Sequence, residues 1–152
     1  MSRSDLHGAT PAARADYLHF HSITTRWIDN GAYGHVNNVV YCSWFDTVVN
    51  EFLIGHGLLD AARRPAIGLV IQTQSTSFAS VAFPDRATAG LRVAALGTSR
   101  VRYEIGAFRG DEASAAAQGH FVHVCVDRTM HQPIPIPAPL RAFLQSIQTE
   151  II

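Results

Sequence analysis

The chain of 152 residues carries twelve basic and twelve acidic side chains, so its formal net charge is zero, and every basic residue is arginine. A balanced charge supplies no global field to draw a polyanion, which removes nucleic acid from the expected partners, and the lack of lysine excludes Schiff-base and lysine-nucleophile chemistry. With 47% hydrophobic and 16% charged residues the composition is that of a globular chain able to bury roughly two-thirds of its unfolded surface, and no apolar run is long enough for a membrane span.

Residues 1–17 are small, polar and proline-bearing and read as a flexible N-terminal arm ahead of one domain over 18–152. The arm lacks the apolar core of a signal peptide. Cys42 and Cys125 form no CxxC or zinc spacing, so two free thiols in a reducing cytoplasm are expected. FHSITTRWID (20–29) is rich in β-branched and aromatic residues and predicts the first strand, which NGAYGH then breaks. From Asn38 to about His56 the apolar residues Val40, Tyr41, Trp44, Phe45, Val48, Val49, Phe52 and Leu53 recur at helical spacing. They predict one helix of roughly 28 Å with a wide buried stripe. Asn37 or Asn38 suits its N-cap, and Gly55 or Gly57 its left-handed end.

AIGLVIQTQSTSF (66–78), RATAGLRVAALG (86–97), SRVRYEIGAF (99–108) and AAAQGHFVHVCVD (115–127) predict four strands separated by turn signals, read as a meander. In SRVRYEIGAF, Val101, Tyr103, Ile105 and Ala107 alternate with Arg102, Glu104 and Gly106, which sets one apolar face against the helix. After the prolines at 133, 135, 137 and 139 a short C-terminal helix restarts. One strand, a long striped helix and four antiparallel strands make an α+β plan in which the sheet curls around the helix. The two open sheet edges favour pairing with a second copy.

The order of these elements, and above all RWIDNGAYGHVNNVVYCSWFD at the strand-to-helix junction, resembles the hotdog-fold acyl-CoA thioesterases of the 4-hydroxybenzoyl-CoA thioesterase type, from Phe20 to about Leu144. Arg26, Trp27, Asp29, Gly34, His35, Val36, Asn37, Asn38 and Tyr41 stand where such proteins place them, and AFPD (82–85) and QGHFVHVCVD (118–127) look like their later strands. The resemblance implies a long central helix wrapped by a curved antiparallel sheet, and hydrolysis of acyl-CoA thioesters with no cofactor beyond the coenzyme A of the substrate. It also implies a homodimer or homotetramer, with the pantetheine arm in a channel between subunits. An acyl-carrier-protein thioester is the alternative substrate.

Thioester hydrolysis needs a polarised carbonyl and either an activated water or a carboxylate nucleophile, whereas the thiolate leaves without much help. N–H groups following Asn37, with the helix dipole behind them, suit a developing oxyanion, and Gly34 lets backbone approach a ligand. Tyr33, Gly34, Asn37, Asn38 and Tyr41 are the expected substrate-binding residues. Proteins of the resembled type carry a catalytic carboxylate two residues after the position of Asp29, in a D-x-D-x-x-G-H-V-N-N pattern, and here that position is Gly31. Asp29 then substitutes as base across about 6 to 7 Å of extended backbone, or His35 acts, directly or through a water shared with Asn37 and a backbone carbonyl. Otherwise the chain binds an acyl thioester without turning it over. Plain structural roles stand beside these: Asp29 as the acceptor of a turn, Asn37 or Asn38 as a helix cap, His35 as a satisfied histidine.

Other candidates are weaker. His19 and His21 share a strand face at a spacing a metal can use, but no third ligand accompanies them, so no metal site is expected. His120 and His123 point to opposite faces of a regular strand, and Ser75, Thr76 and Ser77 form a hydroxyl cluster suited to lining a polar pocket, although alternation turns Thr76 away from the other two. Arg63, Arg64, Arg86, Arg100, Arg102 and Arg128 are candidate partners for the phosphates of coenzyme A, or solvated surface charges. A hotdog-type hydratase is disfavoured, because DNGAYGH lacks the preceding glycine and the proline of a G-D-x-N-P-x-H arrangement.

Overall fold

The computed structural model describes residues 10–57 and 66–148. Residues 1–9 of the expected arm, Arg63, Arg64 and residues 149–152 lie outside the described residues, as does the Asn38 side chain. The elements in chain order are β1 (His19–Thr24), α1 (Asn38–Gly55), β2 (Ala66–Ser77), β3 (Arg86–Leu96), β4 (Arg100–Arg109), β5 (Ala117–Asp127) and α2 (Ala138–Ser146). The strands form one curved antiparallel sheet in the order β1-β3-β4-β5-β2, and α1 lies across its inner face.

The stripe of α1 is buried as its spacing predicts. Tyr41, Phe45, Val48, Val49 and Phe52 pack against Leu91 and Val93 of β3, Tyr103 and Ile105 of β4 and Phe121 of β5. Each such side chain contributes about 1.5–3 kcal/mol by leaving water. Asn37 is the N-cap: its Oδ1 accepts the Val40 N–H at 3.2 Å. Gly57, with φ of 70°, closes the other end by donating to the Ile54 carbonyl at 3.0 Å. Along β4, Val101, Tyr103, Ile105 and Ala107 face the helix as expected. Among the described residues no helix is long and apolar enough to cross a membrane.

Three expectations change. The first strand stops at Thr24, because Asp29 captures the Arg26 N–H and folds Trp27–Asp29 into a 3-10 turn. β3, β4 and β5 form a meander, but β2 does not join it at β3. β1 occupies that edge of β3, so β2 runs along β5 from Ala66↔Asp127 to Ser77↔Ala117. The N-terminal arm is held in place over its described part: Ala12 N–H donates to Gln118 Oε1 at 2.6 Å, Arg14 N–H to the Ala113 carbonyl at 2.8 Å, and the Tyr17 ring is buried edge-on to Phe108. Tyr17 lies flat enough on the sheet that a Cβ on Gly106 would meet its ring at 2.7 Å.

Among the described glycines Gly119 leaves the least room, since a Cβ there would collide with the Gln74 backbone carbonyl of β2. Gly119→Ala is expected to push β2 off β5 and destabilise the fold by about 1–3 kcal/mol, read as a lower denaturant midpoint. Because β2 ends beside the junction described next, the same variant should weaken any ligand bound there.

Candidate functional site

The junction between β1 and α1 is a short loop held at both ends. Asn30 and Val36 form an antiparallel bridge, Gly31 N–H donates to the His35 carbonyl at 2.9 Å, and Gly34 N–H returns to the Gly31 carbonyl at 3.0 Å. The return needs a left-handed residue, and Gly34 supplies it with φ of 80°. Val36 N–H donates to the Val81 carbonyl at 2.7 Å, and Asn30 Oδ1 accepts the Phe83 N–H at 2.9 Å. These two bonds tie the junction to the segment that follows β2.

A cavity of about 360 Å³ opens at that meeting point, lined by His35, Val36 and Asn37 from the junction and by Ser77, Phe78, Ala79 and Ser80 from the end of β2. It sits at the N-terminus of α1. The Asn37 side chain serves Val40, so the N–H groups of Asn38 and Val39 in the first turn have no acceptor within the helix. They are oriented donors at the positive end of an eighteen-residue helix, suited to a carbonyl that gains negative charge. His35 is exposed, and its Nδ1 lies 3.2 Å from the Val36 carbonyl. A carbonyl only accepts, so Nδ1 is the donor in this contact, and in the neutral ring the lone pair then lies on Nε2.

The sequence candidates separate accordingly. His35 and Asn37 share the cavity, and Gly31 lies beside them: a Cβ at Gly31 would meet the His35 carbonyl at 3.4 Å and Asn37 Nδ2 at 3.6 Å. Asp29 does not reach it. The residue is 2% exposed, with Oδ2 accepting the Arg26 N–H at 2.8 Å and Oδ1 the Arg26 guanidinium at 2.9 Å, so both its oxygens are engaged in holding the turn. Tyr33 is 91% exposed at the loop tip, and Tyr41 is buried edge-on to Trp44, where burial pushes its phenol up to about 12. Neither lines the cavity.

Phe78, Ala79 and Ser80 are the cavity residues that motif reading misses. Their only signal is position, immediately before the AFPD motif whose Phe83 meets Asn30. Of the arginine candidates, Arg86 and Arg100 line two other cavities of about 600 and 580 Å³, at the β1–β3 margin and at the β3–β4 turn. His19 packs on Phe52 at 4.7 Å, and His21 lies 3.7 Å from Glu51.

His123 is buried against Tyr103 and Phe121, with Nε2 lacking a partner among the described residues. Burial lowers its pKa, with Asp46 opposing. The unfolded chain therefore binds a proton that the folded one refuses. Its contribution is fully favourable above about pH 6.5, and stability falls as pH drops below that value, by at most about 1.4 kcal/mol per pH unit for one proton. His123→Phe is expected to flatten the acid limb of a stability profile measured by denaturant titration.

The model of the thioesterase-like superfamily matches residues 23–144. No curated protein sequence matches the chain. Among solved structures, the PA5185 protein of Pseudomonas aeruginosa strain PAO1 is 48% identical with a TM-score of 0.88, over 92% of this chain and 98% of that one. The 1,4-dihydroxy-2-naphthoyl-CoA thioesterase Slr0204 from Synechocystis superposes with a TM-score of 0.76 at 14% identity, over 84% and 96% of the two chains. The dynemicin thioesterase superposes with a TM-score of 0.77 at 19% identity, over 88% and 97%. The last two likenesses speak to the fold alone. A helix-wrapping sheet of this order, a polar junction at the helix N-terminus and a profile match over most of the chain converge: the protein belongs to the thioesterase-like superfamily and has its hotdog fold.

Proposed function

We propose that the chain hydrolyses acyl-CoA thioesters to free acid and coenzyme A, with His35 as general base in a loop that carries Gly31 at the carboxylate position. The observation that carries this reading is the junction cavity, which His35 and the N-cap Asn37 line at the N-terminus of α1. The thioester carbonyl lies against the first-turn N–H groups of α1. His35 Nε2 takes a proton from a water as the water oxygen bonds to the carbonyl carbon, and the oxyanion is held at the helix terminus. Collapse breaks the C–S bond, and the sulfur departs with its electron pair and takes the proton back from the imidazolium. The products are the acid and the thiol.

Coenzyme A enters as part of the substrate, and no other cofactor is invoked. A homodimer or homotetramer is part of the proposal: β2 is a twelve-residue edge strand with Val70 and Ile71 exposed, the kind of edge a second copy covers. The compartment proposed is the cytoplasm, in keeping with the free thiols of Cys42 and Cys125.

A second reading is favoured by Gly31 itself, which brings no proton acceptor to the cavity: the chain binds acyl-CoA or acyl-carrier thioesters without turnover. Free-thiol release from aliphatic and aromatic acyl-CoAs, run beside calorimetric binding of a non-hydrolysable thioether analogue, separates the two. Hydrolysis is expected. Tight binding with no thiol release would favour the carrier reading, and neither binding nor release would remove both.

A further inference from the structure

The outer face of the sheet, opposite α1, carries a polar cavity of about 220 Å³ that takes no part in the junction site. Strand register builds it, because Arg92 pairs with Glu104, Glu104 with His120, and His120 with Gln74 across β3, β4, β5 and β2. Tyr17 from the docked arm and Gln118 complete the wall.

Its hydrogen-bond inventory is one-sided. Among the described residues Arg102 makes two long contacts, to His120 Nδ1 at 3.4 Å and Glu104 Oε2 at 3.6 Å, and its buried Nε has no partner. A guanidinium only donates, so His120 Nδ1 must accept and Nε2 carries the proton. His120 is 8% exposed, and that Nε2 also lacks a partner. Glu104, the one carboxylate among the lining residues, is shared: it serves Arg92 at 3.2 Å as well as Arg102, while Gln118 Oε1 serves the Ala12 N–H. Asp16 turns its carboxylate to the Ala13 N–H, giving Arg92 only its carbonyl at 3.1 Å. Two guanidinium groups thus face one carboxylate, an excess of positive charge among the lining residues.

We infer that this outer-face cavity binds a small oxyanion, a carboxylate or a phosphate group, held chiefly by Arg102 and Arg92 with His120 as a further donor. Forked guanidinium donors match the paired oxygens of either group, and partial enclosure strengthens the attraction. Burial, and then the Arg102 charge, lower the His120 pKa against the pull of Glu104. A bound anion opposes that lowering, so binding is expected to tighten as pH falls.

The test is an NMR titration of the full chain at fixed ionic strength, following the His120 ring and arginine Nε signals, with sodium phosphate in one arm and sodium acetate in the other. Saturable shifts at His120 and Arg102 are expected in at least one arm, and the arm that saturates identifies the ligand class. Arg102→Gln should weaken binding at least about tenfold, Arg102→Lys less, and Glu104→Gln should tighten it. His35→Gln should leave anion binding unchanged, which keeps this result separate from the fate of the thioesterase reading. Unchanged backbone amide spectra verify that each variant folds. No saturable shift with either anion, or equal affinity in Arg102→Gln, overturns the inference. So does a sedimentation result in which this face is instead closed by a second copy that Arg102→Gln releases.

Discussion

Gly31→Asp is expected to raise kcat for acyl-CoA hydrolysis by about 10²–10⁴-fold, the range a positioned acid or base commonly supplies. The backbone accepts the change, since Gly31 has no left-handed φ and its Cβ would meet the His35 carbonyl and Asn37 Nδ2 at ordinary contact distances. Those neighbours also place the new carboxylate beside the cavity and near the helix N-terminus, where negative charge is favoured. The resembled thioesterases carry their catalytic acid at this position, so the variant adds a base where the chain now relies on an imidazole. Steady-state thiol release is the readout. An unchanged kcat with an intact fold would mean that catalysis does not pass through this loop.

His35→Gln on the parent chain is expected to lower kcat by about 10²-fold or more while leaving KM within a few-fold. Glutamine keeps a donor toward the Val36 carbonyl but has no basic nitrogen. In the Gly31→Asp background the same replacement should matter much less, because the carboxylate then does the work. That non-additivity, measured as a double-mutant cycle, distinguishes a base from a residue that merely shapes the loop.

The long helix was legible because its stripe from Val40 to Leu53 follows a single period, and the strands of the meander because their alternation and turn signals are local. What escaped depended on contacts distant in sequence or on competition within a few residues. FHSITTRWID has strand propensity throughout, yet one short bond from Arg26 N–H to Asp29 ends the strand early and engages Asp29 in a turn. The placement of β2 beside β5 follows from β1 occupying the edge of β3, a fact no local pattern records. At the site, the polar junction and its capped helix were visible as a motif. The Phe78–Ser80 wall was not, since it arrives through the bond from Val36 to Val81. The outer-face cluster was equally hidden, because only strand register brings Arg92, Glu104 and His120 into one row.

The most direct test of the central claim, that a thioester carbonyl is received at the N-terminus of α1, is a crystal structure with a non-hydrolysable acyl-CoA ketone analogue. The carbonyl oxygen is expected at about 2.7–3.1 Å from a first-turn N–H of α1, with His35 Nε2 facing its carbon across one water. An analogue seated instead in the cavity of Thr98, Ser99 and Arg100 at the β3–β4 turn, with its carbonyl away from the junction, would contradict the account.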